Sequence, residues 1–248
     1  MTENRIPKII HYCWVGNKPK PQEVLNYIES WKKILPDYEI KEWNEENFDF
    51  RNACSYAKEA CEEKKWAFVT DYMRLSILYQ YGGIYLDTDV ELLKRFDELL
   101  NQPAFMCYEC SFAVCTAVIG AEKHSKIIGD LLQSYNKRKF RQNDGRLDIM
   151  PNSRYIFDYL TNNYGMRYDG ATFESPDIVI YPAYFFSPVN YATGMMGDVS
   201  KSYAIHRYSG TWKTKGKKIR DKIMAIVTRI IGENNRERLA AVVKGVLK

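Results

Sequence analysis

Residues 66–93 read WAFVTDYMRLSILYQYGGIYLDTDVELL, and the rest of the chain is organised around them. The first part reads as a buried helix, because Phe68, Tyr72, Met73, Leu75, Ile77 and Leu78 leave it apolar on nearly all sides. Gly82 and Gly83 supply a turn. Ile84, Tyr85 and Leu86 then form a short strand that runs into Asp87, Thr88 and Asp89. If strand alternation persists, side chains two apart point the same way, and Asp87 stands beside Asp89. Adjacent carboxylates repel each other and are not tolerated unpaired in a core. A divalent cation removes the conflict, since hard oxygen ligands suit Mn²⁺ and Mg²⁺. Upstream, Asp71 and Arg74 are three apart and share a helix face. The expectation is one cation and three anions gathered at the end of a central strand.

The combined pattern D-x-x-R-x(7)-G-G-x-Y-x-D-x-D, from Asp71 to Asp89, resembles the DXD-containing glycosyltransferases of the sugar-binding-region family. The opening IPKIIHYCWVG, residues 6–16, is similar to that group's first strand. The group includes initiating mannosyltransferases, bacterial capsule transferases and, more distantly, the clostridial glucosylating toxins. The resemblance covers the first 120 residues well and the remainder thinly. It implies an α/β nucleotide-diphosphosugar transferase fold of the GT-A type: a mixed, mostly parallel sheet with helices on both faces. It also implies a metal-dependent, retaining transfer from a nucleoside-diphosphate sugar to a hydroxyl acceptor. Asp89 then contacts Mn²⁺ directly, while Asp87 contacts ribose and sugar and reaches the metal through water. Asp71 and Arg74 bind hydroxyls of the transferred sugar. Tyr85 lies near the diphosphate or is a core aromatic, and Trp14 stacks on the nucleobase. In AIHRYSGTW, His206 is the third metal ligand, with Ser209 and Trp212 on the donor; a hydrogen-bonded strand-end histidine is the alternative for His206. His11 reads as a satisfied core histidine.

Length and composition bound these expectations. At 248 residues the chain is one generous domain, or one domain with an appendage. The 19 tyrosines suit a protein that stacks on sugars and bases. Six cysteines show no disulfide framework, so Cys107, Cys110 and Cys115 read as buried thiols rather than as a zinc site with His124. No stretch is long and apolar enough to span a bilayer, and residues 1–20 have no signal-peptide core, which points to a cytoplasmic protein. Residues 213–248 hold eleven Lys and Arg against three acids, a balance of +8 against +5 for the chain, so residues 1–212 carry −3. The expected organisation is a catalytic domain, 1–212, and a basic amphipathic helical tail, 213–248. Ile219, Ile223, Ile226, Val227, Ile230 and Ile231 form the tail's apolar face, interrupted at Glu233 and resumed by Leu239, Val242, Val243 and Val246. Such a face lies on an anionic membrane or packs on protein. Nothing in this pattern suggests a nucleic-acid partner.

Elsewhere, strands are expected over residues 6–15, 38–43, 105–108, 114–119, 179–186 and 203–206. Helices are expected after Pro21, from Glu45, around Ala57, over 125–135 and over 155–160. Residues 137–148, KRKFRQNDGRLD, read as a mobile loop. Two other functions compete. Strand plus D-x-D-x-V also resembles the first motif of haloacid-dehalogenase phosphatases, with Asp87 as nucleophile, and a silent sugar-nucleotide-binding protein would keep the fold without turnover. A UDP-sugar is preferred because Trp14 resembles a uracil-stacking residue, with guanosine second. The acceptor expected is a saccharide or lipid-linked saccharide, in bacterial polysaccharide or glycolipid assembly, with the enzyme peripheral at the inner membrane face.

Overall fold

The strand that runs into the acids lies inside the main sheet, flanked by the first strand on one side and a later hairpin on the other. The structure, a computed structural model, describes residues 4–210 and 215–232. Its strands are β1 (Ile9–Cys13), β2 (Glu39–Trp43), β3 (Gly83–Leu86), β4 (Val90–Leu92), β5 (Ala104–Cys110), β6 (Ala113–Ala121), β7 (Phe173–Glu174), β8 (Val179–Tyr181) and β9 (Ala204–His206). The helices are α1 (Gln22–Ile34), α2 (Ser55–Glu62), α3 (Trp66–Tyr81), α4 (Lys126–Tyr135), α5 (Asn152–Tyr164) and α6 (Lys215–Ile231). Seven strands form one sheet in the order β2-β1-β3-β6-β5-β8-β7, while β4 and β9 form a separate pair. The α/β fold and mixed sheet are as expected. "Mostly parallel" is approximate, since β1–β2, β1–β3 and β5–β8 run parallel and β3–β6, β5–β6 and β7–β8 antiparallel.

Every residue of β3 is buried, which explains its unbroken apolar character between two packed faces. On one face Val69, Met73 and Ile77 of α3 pack with Ile127 and Leu131 of α4 and Ile156 of α5. On the other, Val24, Ile28 and Trp31 of α1 pack with Val90, Phe96 and Phe186. Trp31 Nε1 donates to Val90 O at 2.8 Å, tying α1 to β4. Gly82 ends α3 at φ 66°, its N–H closing on Leu78 O at 2.8 Å. A Cβ on Gly83 would stand 2.6 Å from Ile9 O, so only glycine lets β3 lie this close to β1.

Three local expectations are corrected. No helix starts at Glu45: Asn44 Oδ1 accepts from Glu46 N and Asn47 Oδ1 from Asn44 N, closing a turn before a short 3₁₀ segment at Phe50–Asn52. The strand from Val179 stops at Tyr181, because Pro182 brings no N–H to extend the ladder and Ala183–Phe185 coil into a 3₁₀ turn. Residues 137–148 are anchored rather than free. Phe140 is fully buried, Asp148 N donates to Phe140 O at 2.7 Å, and only 141–146 are continuously exposed. Arg138 lies against the rings of Tyr56, Tyr135 and Tyr155 at 4.1–4.9 Å and pairs with Asp148 at 2.8 Å. The tail beyond residue 232, with Leu239, Val242, Val243 and Val246, lies outside the described residues.

Candidate active site

β3 does not continue through the acidic pair. It stops at Leu86, and Asp87, Thr88 and Asp89 form a turn closed by Val90 N to Asp87 O at 3.0 Å. The turn, rather than strand alternation, brings the two carboxylates together. Asp87 N also donates to Ala117 O at 2.9 Å, which fixes the turn against β6. β4 follows at once and pairs antiparallel with β9, setting Val90 opposite His206. His206 thereby arrives beside the acids from more than a hundred residues away. Ligand atoms of Asp87, Asp89 and His206 lie within 4.8 Å of one another. Two carboxylates and an imidazole are a donor set that suits Mn²⁺, so the residues fit the expected cation.

Both carboxylates of the trio are held from behind. Asp89 Oδ2 accepts from the N–H and Oγ of Ser209 at 2.8 and 3.0 Å, and its main-chain carbonyl accepts from Arg207 N. His206 Nε2 faces Asp89 Oδ1 at 3.5 Å, and the Tyr208 ring lies 3.9 Å from the imidazole. Burial alone would lower the His206 pKa, but Cys115, Asp89 and Asp87 outweigh it and raise it to about 9. Asp87 Oδ1 accepts from the Tyr85 hydroxyl at 2.9 Å and faces Arg74 Nη2 at 3.4 Å.

Arg74 is the buried hub. Its Nη2 reaches Asp71 Oδ1 at 3.1 Å, Nη1 donates to Thr116 O at 2.6 Å, and Nε donates to Thr70 O at 3.2 Å. The guanidinium also lies 4.7 Å over the Tyr85 ring. Burial opposes its charge, yet Asp87, Tyr85 and Asp71 keep it firmly protonated. Asp71 is pushed up to about 6 by burial, with Arg74 acting against the shift. The structure therefore brings together Asp71, Arg74, Tyr85, Asp87, Asp89, His206 and Ser209. Tyr85 is buried, and its hydroxyl donates to Asp87. Trp14 is half-buried just past the end of β1, its Nε1 donating to Lys18 O at 2.6 Å. Trp212 lies outside the described residues. His11 is buried as expected: Trp43 donates to its Nδ1 at 3.1 Å, so Nε2 carries the proton and donates to Gly82 O at 2.8 Å.

Two neighbours escaped the sequence reading. Glu109, near the end of β5, accepts from the Tyr208 hydroxyl at 2.8 Å, and Tyr208 meets Ser187 Oγ at 2.6 Å. Burial raises the Glu109 carboxyl to about 7. Its position at the carboxyl end of a strand was the available signal.

Residues 21–106 match the model of a glycosyltransferase sugar-binding region containing DXD motif. This stretch belongs to the DXD glycosyltransferase family. The similarity extends to "Inositol phosphoceramide mannosyltransferase 3" of Schizosaccharomyces pombe, 28% identical over 155 residues that cover 61% of this chain and 43% of the relative. It extends also to "Mannosyl phosphorylinositol ceramide synthase CSH1" of Saccharomyces cerevisiae, 31% identical over 127 residues, 47% of this chain and 31% of the relative. The chain spans less than half the length of these curated relatives. Among solved structures, the "PaToxG Glycosyltransferase" overlaps 64% of this chain and 70% of its own at 19% identity and a TM-score of 0.49. The DXD of the family's description corresponds here to Asp87-Thr88-Asp89.

Proposed function

We propose that the chain is a metal-dependent, retaining glycosyltransferase that moves a sugar from a nucleoside-diphosphate sugar to a hydroxyl acceptor. The convergence of Asp87, Asp89 and His206 on one point, with the Asp71–Arg74 pair behind it, carries this reading. Asp89, Asp87 and His206 would hold Mn²⁺, or Mg²⁺ in its place. When bound, the ion offsets charge that grows on the departing diphosphate. The protein's own groups then have distinct tasks. Ser209 and Tyr85 orient the two carboxylates through the hydrogen bonds described above, so that little reorganisation is needed when donor arrives. Asp71 accepts hydroxyls of the transferred sugar, and Arg74 keeps that acid ionised and aimed. Trp14 and Trp212 are assigned to the nucleobase and the donor, with UDP preferred and GDP second. Retention is assigned to front-face displacement, in which a diphosphate oxygen takes the acceptor's proton; trapping a glycosyl–protein adduct would overturn that assignment.

The names of the relatives specify mannosyl transfer to inositol phosphoceramide, which supports a lipid-linked acceptor over a free sugar. The setting proposed is polysaccharide or glycolipid assembly in a bacterium, on the inner face of a membrane. Residues 1–212 would form the catalytic unit and 213–248 the basic tail. No helix among the described residues is long and apolar enough to cross a membrane. The test is a thermal-shift and titration panel of UDP and GDP with and without Mn²⁺, followed by a sugar-nucleotide hydrolysis screen. One nucleotide should bind only with the metal, and Asp89→Asn should lower turnover about a hundredfold or more. Absence of metal-dependent affinity for either nucleotide would remove the reading.

A further inference from the structure

α6 meets the body of the protein on one side. Thr228 is buried there, and Arg229 Nε donates to Thr193 O at 2.7 Å. On the far side, Ile219, Ile223, Ile226 and Ile230 are 59%, 55%, 53% and 78% exposed. Their spacing of four, three and four puts them in a single stripe facing water. The loop that receives Arg229 adds to this surface. It is a built hairpin, with Asn190 N on Met195 O at 2.9 Å and Asn190 Oδ1 accepting from Ala192 N and Thr193 N. Its tip leaves Met195 and Met196 57% and 45% exposed. Exposed apolar side chains gathered on one helix face and on the tip of the loop bonded to that helix mark an interaction site.

Charge selects the occupant. Residues 215–231 hold six Lys and Arg against Asp221 alone, while residues 1–212 carry −3. A second copy laid on the stripe would bring the same excess of positive charge, and residues 233–248, with four Lys and Arg against two Glu, would add more of it. An anionic bilayer offers the opposite sign together with an apolar interior, and it attracts the helix while repelling the body. The loop springs from the active-site rim: Ser187 at its base meets Tyr208, and His206 N donates to Phe186 O at 3.0 Å.

We propose that the outward stripe of α6 and the Met195–Met196 tip form one docking surface for an anionic lipid bilayer, which brings the carboxylate site to the membrane where a lipid-linked acceptor lies. The acceptor half of this inference rests on the proposed function; the docking surface does not. The full-length protein should co-sediment with phosphatidylcholine vesicles containing phosphatidylserine and not with vesicles of phosphatidylcholine alone. The pair Ile223→Glu with Ile226→Glu, and separately Met195→Glu with Met196→Glu, should each weaken binding about tenfold or more. Each pair should leave the thermal melt and metal-dependent nucleotide binding unchanged, because all four side chains face water. Absence of phosphatidylserine-dependent binding, or binding indifferent to both pairs, overturns the inference. So does light scattering that shows a dimer broken by the isoleucine pair. An unsubstituted protein that binds nucleotide with metal but not the phosphatidylserine vesicles sinks this inference alone; one that binds the vesicles but no nucleotide sinks the proposed function alone.

Discussion

Arg74 and His11 are both buried polar residues, and they survive burial by opposite means. Arg74 stays charged because two carboxylates and two carbonyls face it, whereas His11 stays neutral because nothing anionic does enough to offset its desolvation. Burial lowers the His11 pKa from 6.5 to about 4. A depressed folded-state pKa means that the unfolded chain takes up the proton first. The stability this histidine contributes is therefore complete above pH 6.5 and is lost as pH falls towards 4. The loss amounts to about 3 kcal/mol by the bottom of that window. Urea denaturation at intervals from pH 7 to 4 should show this slope in the native protein and a shallower one in His11→Gln, which keeps a donor for Gly82 O but cannot titrate. Equal slopes would show that the neutral ring is not what acid attacks.

At the scale of elements, α3 and the segment 137–148 behave differently from each other in sequence and alike in the structure. α3 is apolar nearly all round and was legible at once, down to its observed bounds at Trp66–Tyr81. The later segment is polar and aperiodic, yet one aromatic pins it. Phe140 sits edge-on to Tyr56 at 5.3 Å and against Phe68 at 5.2 Å. Phe140→Ala should cost about 3–5 kcal/mol, the usual range for a fully buried phenylalanine. A chemical denaturation midpoint shifted by less than about 1 kcal/mol would mean that the segment is a loose loop after all.

The whole molecule assembles its candidate site from distant parts of the chain: α3, the turn after β3, and the run beyond β9. The β4–β9 pair, through the Val90–His206 register, and the hydrogen bonds of Ser209 and Arg207 to Asp89 join the last of these to the acidic turn. Nucleotide and metal should therefore tighten that pair more than the rest of the sheet. With UDP and Mn²⁺ together, amide hydrogen exchange should slow about tenfold or more over residues 87–90 and 204–209, and stay unchanged in α4 and α5. Protection spread evenly over the chain, or confined to β1, would place the ligand elsewhere.

The sequence by itself determined the elements whose cause is local. Periodicity and paired glycines specified α3, the turn and β3, and side-chain chemistry marked Asp71, Arg74, Asp87 and Asp89 as a group, because those signals act within one turn or one strand. His206 and Ser209 were nameable only through family resemblance, since nothing local ties residue 206 to residue 89. Their juxtaposition, the turn geometry of the acids, the Tyr208–Glu109 contact and the burial of Phe140 were decided by tertiary structure alone. Each depends on which distant strands pair and in what register, and that outcome belongs to the packing of the whole core rather than to any short stretch of chain.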